Sequence, residues 1–159
     1  FHGLLPPTQR KGTRAMHNTK VKDIMTTNPV IIAPGTTLLE AAKKMKEIEC
    51  GILPVGTNDK IVGMITDRDI VIRALAEEKD PAKEKVENHM TETAYACNEE
   101  DFLEDAADKM RTHKVSRLVV KNKQGQVTGI LSFGGILRKH ASSEEIANVI
   151  KHAINRKAA

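Results

Sequence analysis

Thr66 and Asp69 stand three residues apart, between the apolar run 61–65 and a second apolar run that begins at Ile70. A hydroxyl and a carboxylate at this spacing suit two kinds of chemistry. If the segment opens a helix, its first amides and the positive end of the dipole favour a phosphate. Asp69, one turn in, can then accept two hydrogen bonds from a vicinal diol such as that of a ribose. Alternatively, Thr66 is an ordinary N-cap and Asp69 a first-turn acid favoured by the same dipole. Spacing alone favours the second role. Arg68, between them, is equally suited to a phosphate or to solvent.

The run His113-Lys114-Val115-Ser116-Arg117 supplies the other concentrated cations. Taken alone, His113 reads as a solvent-facing helix end and Arg117 as a half-exposed strand-edge cation. The six histidines form no HExxH or comparable spacing, so no metal site is expected. There is no GxSxG, P-loop or Cys/His nucleophile arrangement, which argues against an enzyme. Cys50 and Cys97 lie far apart without a CxxC, as buried free thiols of a reducing compartment do, which favours the cytoplasm.

The formal charge of +4 is concentrated at one end. Residues 1–15 hold Arg10, Lys11 and Arg14 and no acid; without those three, the 25 basic residues fall to 22 against 21 acidic. Pro6-Pro7 and Gly12 oppose regular structure there, and Met16 would serve as a natural start, so 1–15 reads as an added or processed leader. A basic arm touching nucleic acid is the alternative, but three Phe and one Tyr make no stacking platform. No apolar run approaches the roughly 20 residues of a membrane span. Neither nucleic acid nor membrane is expected as a partner.

What must position these residues is a repeat. Val21-Lys22-Asp23-Ile24-Met25-Thr26 aligns with Val86-Glu87-Asn88-His89-Met90-Thr91, and at the same shift Leu38, Ala41, Ala42 and Met45 fall on Leu103, Ala106, Ala107 and Met110. One extra residue then brings Gly63-Met64-Ile65-Thr66 onto Gly129-Ile130-Leu131-Ser132. Each half reads as βαββα. Thr37-Leu38-Leu39-Glu40 is a capping box before an apolar helical stripe, and Asp101-Phe102-Leu103-Glu104 opens the second copy. Strands follow at 52–55 and 61–65, and again at 117–120 and 127–131. Helices N-capped by Thr66 and Ser132 close the halves, and the charged stretch 77–85, with Pro81, links them. The methionines at 45 and 110 read as core filler.

Each half, at about 60 residues, is marginal alone. The expected fold is therefore α+β, two βαββα repeats packed face to face about a pseudo-twofold axis, with clefts where the halves meet. The boundaries expected are a leader at 1–15, repeats at 16–80 and 81–140, and an added amphipathic C-terminal helix within 141–159. The last rests on caps at Ser142 or Ser143 and a stripe of Ile146, Val149, Ile150, Ala153 and Ile154. That helix would pack on the module or its dimer mate, or dock a partner protein.

Lys22-Asp23-Ile24-Met25-Thr26…Pro29-Val30, Leu53-Pro54-Val55 and Gly63-Met64-Ile65-Thr66-Asp67-Arg68-Asp69-Ile70 together resemble a cystathionine-β-synthase (CBS) domain, and the two halves resemble a Bateman module. The resemblance covers about residues 21–140. It implies a non-catalytic regulatory module with two clefts, binding of an adenosine-containing ligand (AMP, ADP, ATP, or else NAD or S-adenosylmethionine), and a homodimer of pairs as a flat disc. No cofactor is implied beyond that regulatory ligand. With the resemblance the ribose role of Asp69 moves ahead, Thr66 stands at the phosphate end of the helix, Arg68 stays open between phosphate and solvent, and Arg117 reaches the phosphates from the opposite repeat. Val115 and Ser116 line the base pocket, Ala94, Tyr95 and Ala96 offer backbone groups to the adenine, and His113 lies nearby. Tyr95 departs from the small residues common at its place, as a stacking or pocket-filling ring.

The copies also differ. Gly135 stands where Asp69 does, so Ser132 keeps a hydroxyl without a carboxylate, and Ile52 stands opposite Arg117. One cleft is thus expected to bind nucleotide and the other to be degraded. A ligand-free dimerisation or protein-interaction module is the competing function. An enzyme of the inosine-monophosphate dehydrogenase kind, in which such pairs occur inserted, would need a barrel of about 250 residues that has no room here.

Overall fold

A computed structural model describes residues 19–92 and 94–139. The leader 1–15 and the C-terminal helix read at 141–159 lie outside the described residues. The chain forms two compact units. The first comprises Asn28–Tyr95 and Gln124–Val127; the second, within the described residues, comprises 19–27, 96–123 and 128–139.

In the first unit, Thr37 caps helix α2 (Leu38–Ile48) through the reciprocal box its sequence predicts. The Glu40 amide donates to Thr37 Oγ1 at 3.1 Å, and the Thr37 amide donates to Glu40 Oε2 at 3.0 Å. The apolar stripe then turns Leu38, Ala41 and Met45 inward. Glu49 ends the helix in the left-handed region, at φ 53°. Strands β2 (Ile52–Gly56) and β3 (Ile61–Thr66) pair antiparallel, each one residue longer than expected. Gly56, at φ 144°, makes the bulge that lets the turn close; a Cβ there would stand 2.2 Å from the Lys60 carbonyl oxygen. Single bridges widen this sheet on both sides, Ile32 parallel to Val55 and Thr91 antiparallel to Met64. Leu53, Val55, Ile65, Ile70, Ala74 and Val86 complete the core on the helix.

The helix after β3 is irregular. A single α turn, α3 (Asp67–Asp69), passes into a π-helix over Ile70–Leu75, whose end is marked by the Ala76 amide donating to the Val71 carbonyl at 2.9 Å. Ile70 and Ala74 are buried, while Val71, Ile72 and Leu75 are about half exposed.

In the second unit, β1 (Thr26–Thr27), β6 (Val127–Ser132), β5 (Arg117–Lys121) and β4 (Ala96–Asn98) form one sheet in that order. β1 runs antiparallel to β6 and β4 parallel to β5. Helix α4 (Leu103–His113) packs inward through Leu103, Ala106 and Met110. Its N-cap is Phe102, whose ring offers no acceptor, and Asp101, the expected opener, is turned back to accept from the Asn98 amide at 2.9 Å. Helix α5 (Phe133–Lys139) closes the unit, and the short helix α1 (Val21–Ile24) contributes buried Val21 and Ile24.

The two units exchange their lead-in segments. Residues 21–27 begin the first sequence repeat yet lie in the second unit, where the Val21 amide donates to Asp101 at 2.9 Å and Thr26 pairs with Ile130. Val86–Thr91, which begin the second repeat, lie in the first unit: the Val86 amide donates to Thr36 at 2.8 Å, and Thr91 and Met64 exchange two bonds of 2.9 Å. The repeats at 16–80 and 81–140 are divisions of the sequence, whereas the compact units interleave them.

Candidate functional site

Thr66 ends a buried strand and Asp69 completes the turn after it. The Asp69 amide donates to Thr66 Oγ1 at 3.0 Å, and the Thr66 amide donates to Asp69 Oδ2 at 3.0 Å. Both roles weighed for this pair therefore meet in one geometry: it is a capping box, and the box fixes the carboxylate. Asp69 is 8 % exposed, the one buried charged residue among the described residues. Burying a carboxylate is costly unless it is hydrogen-bonded and paired. Besides the cap, Arg73 Nε stands 3.6 Å from Asp69 Oδ1, at ion-pair rather than hydrogen-bond distance.

The start of this helix is tied to the strand beside it. The Asp67 amide donates to the Gly51 carbonyl at 2.9 Å, and a Cβ on Gly51 would stand 2.7 Å from Asp67 Oδ2. Gly51 is thus a close approach that the sequence did not flag. Arg68 is exposed, with its amide donating to Asp67 Oδ1 at 2.8 Å.

The second unit repeats the design with other residues. The Phe133 amide donates to the Ser116 carbonyl at 3.1 Å, as Asp67 does to Gly51. The Gly135 amide donates to Ser132 Oγ at 3.0 Å, as Asp69 does to Thr66, but no carboxylate returns the bond. Half the box survives. Lys114 holds the left-handed helix end at φ 54°, after which Val115 and Ser116 are half-buried and Arg117 is exposed. Arg117 Nη1 lies 3.4 Å from Ser116 Oγ. His113 is exposed at the end of α4.

Of the remaining expected residues, Ala94 and Tyr95 are half-buried in the first unit, and Ala96, also half-buried, begins β4 in the second. Thr66, Arg68 and Asp69 thus come together in one unit, and Val115, Ser116 and Arg117 in the other. Arg73 was missed, although an acid and a base four residues apart on a helix are a readable signal. Burial pushes the Cys97 thiol up to about 12, with Asp101 adding to the shift, which leaves it protonated and inert. Among the described residues no three of His, Cys, Asp and Glu gather as a metal would require, and no helix is long and apolar enough to cross a membrane.

Two repeats, each with a helix-capped hairpin and a Thr/Ser cap after its last strand, define a tandem α+β module, and comparison with known sequences identifies its class. The profile of the CBS domain matches residues 21–75 and 85–142, so the chain belongs to the CBS-domain family and carries two copies. It is 33 % identical over 130 residues to the CBS domain-containing protein YhcV of Bacillus subtilis, covering 82 % of this chain and 91 % of that one. Hypoxic response protein 1 of Mycobacterium tuberculosis is 31 % identical over 134 residues, covering 84 % and 92 %. Among solved structures, the CBS domain pair of protein MJ0100, in complex with 5′-methylthioadenosine and S-adenosyl-L-methionine, superposes with a TM-score of 0.65 at 30 % identity, covering 76 % of this chain and 98 % of that one. Hypoxic Response Protein I, with two coordinated zinc ions, gives 0.66 at 31 % identity, covering 76 % and 98 %.

Proposed function

We propose that this CBS pair is a non-catalytic regulatory module that binds an adenosine-containing ligand, with Asp69 accepting from the ribose hydroxyls. The observation that carries this reading is the buried Asp69 carboxylate, set by its capping box at the start of a helix. The adenosine compounds bound by the MJ0100 pair support it. Arg117, exposed and close to Ser116, takes the phosphates when the ligand has them; Val115, Ser116 and the backbone of Ala94, Tyr95 and Ala96 serve the base. Because Gly135 supplies no carboxylate, the module holds one tight site per chain.

A thermal-shift panel of AMP, ADP, ATP, NAD and S-adenosylmethionine tests this. A ligand at 100-fold over its dissociation constant stabilises by about 2.7 kcal/mol. Asp69→Ala abolishes the shift for every active ligand, and Arg117→Ala weakens only the phosphorylated ones. No shift with any compound, or unchanged binding in both variants, overturns the assignment.

The half-exposed row Val71, Ile72 and Leu75 favours a second reading, a homodimerisation module without a ligand. Under it no compound shifts the melting curve, and Val71→Glu converts a dimer to a monomer in sedimentation velocity.

A further inference from the structure

Arg73 and Lys139 occupy equivalent places, ten residues beyond Gly63 and Gly129, and do the same thing. Arg73 Nη1 donates to the His89 carbonyl at 3.1 Å, and Lys139 Nζ donates to the Met25 carbonyl at 3.3 Å. Each acceptor lies within the lead-in segment its unit receives from the other repeat. A base on the last helix thus pins the exchanged segment in both units. Among the described residues, only the base of the first unit also faces an acid: Arg73 Nε is 3.6 Å from Asp69 Oδ1. The pinned segment continues to the His89 ring, whose Nε2 is 3.1 Å from Glu84 Oε2, and to Thr91, which bonds to Met64 on β3.

We propose that Arg73 is a positioning residue shared between Asp69 and the exchanged segment, so that a ligand diol on Asp69 changes how firmly residues 84–91 are held. The guanidinium has five donors in a fixed fork and can serve both partners at once, but its placement relative to the His89 carbonyl depends on the carboxylate. A diol that draws on Asp69 Oδ1 weakens the Arg73 contact and with it the pin. Lys139, with Gly135 in place of the acid, pins its segment regardless of ligand. The coupling runs one way around the molecule's repeat: it belongs to the first unit alone. The ligand part rests on the function proposed above, whereas the link between Asp69 and the segment does not.

Amide hydrogen exchange of the full chain separates the two. In the ligand-free protein, Asp69→Asn speeds exchange at the Thr91 amide about two-fold, the upper end of what an i,i+4 charge pair carries. In an Arg73→Gln background the same substitution adds nothing, and Arg73→Lys retains part of the effect. Equal Asp69→Asn effects with and without Arg73 overturn the proposal, because a purely local role of either residue predicts additivity. S-adenosylmethionine and AMP are then added. Ligand-dependent exchange at Thr91 in the wild type that disappears in Arg73→Gln, with binding retained, supports the relay to ligand; a change that persists there refutes it. If neither compound binds, the functional reading fails while the ligand-free cycle still decides the link.

Discussion

Met90 occupies the space a side chain on Gly63 would need. A Cβ there would stand 2.6 Å from Met90 Sδ and 2.6 Å from the Thr91 carbonyl oxygen, and Met25 and Thr26 crowd Gly129 in the same way at 2.6 and 2.7 Å. Each lead-in segment is therefore laid directly over a glycine of the hairpin it joins. Gly63→Ala and Gly129→Ala each destabilise the protein by about 1–3 kcal/mol, the usual cost of overpacking. Urea midpoints measure this. Met90→Ala does not rescue Gly63→Ala, because the backbone carbonyl cannot move away; full rescue would show that the methionine alone imposes the glycine.

Gly135→Asp completes the half-built cap of α5. The Ser132 hydroxyl already receives the Gly135 amide, and the new carboxylate can reach back to the Ser132 amide as Asp69 does to Thr66. Removing a glycine from the first helical turn and adding a capping acid stabilises by about 0.5–1 kcal/mol. Thermal or urea denaturation would detect it, and a loss of stability would mean that the 3.1 Å approach of a Cβ to Ser132 Oγ cannot relax.

Glu100 receives Lys20 Nζ at 2.7 Å and Lys22 Nζ at 2.9 Å. Hydrogen bonds from these two lysines hold its carboxyl down to about 2, from an ordinary 4.5. A depressed carboxylate contributes stability that is whole above its unfolded value and is lost as the pH falls toward the folded one. Stability tied to Glu100 therefore declines between about pH 4.5 and 2. Glu100→Gln flattens that part of the curve, and salt shrinks the difference because the group is solvent-accessible. Identical acid limbs for both proteins in urea titrations would remove the ion pair from any role in acid stability.

The two thiols differ in reach. Cys50 is partly exposed, its Sγ donating to the Ile52 carbonyl at 3.3 Å, while Cys97 is buried on β4 with its thiol pushed up to about 12. In native protein at pH 8, a maleimide or disulfide reagent labels Cys50, and Cys97 reacts only on unfolding. Cys50→Ser should leave a chain that is silent to the reagent until denaturant is added. Prompt labelling of that variant would show that β4 opens far more readily than its burial suggests.

Much of this arrangement is written locally in the chain. Thr37 with Glu40 and the stripe of Leu38, Ala41 and Met45 act over a few residues, and each appears where its spacing puts it. Thr66 and Asp69 were legible as a pair, but whether the carboxylate caps or binds was open, since one geometry satisfies the cap and leaves a second oxygen toward Arg73. The π turns of Ile70–Leu75 were not legible, because an apolar run carries no mark of which amide bonds which carbonyl. Nor was the exchange of lead-in segments. Val21, Ile24 and Met25 offer the same apolar edge as Val86 and Met90, so the pattern fits either sheet, and only long-range pairing selects one. Asp101 looked like a cap by position and is instead spent on the Asn98 amide.

The exchanged lead-in segments give the chain an unusual grammar. Cutting between the repeats, near Lys79 and Asp80, would not yield two self-sufficient halves but two unfinished ones, each carrying the lead-in segment the other lacks. Such fragments would complement one another when mixed. A single repeat could close its sheet only by borrowing from a second molecule, and duplication within one chain makes that loan permanent.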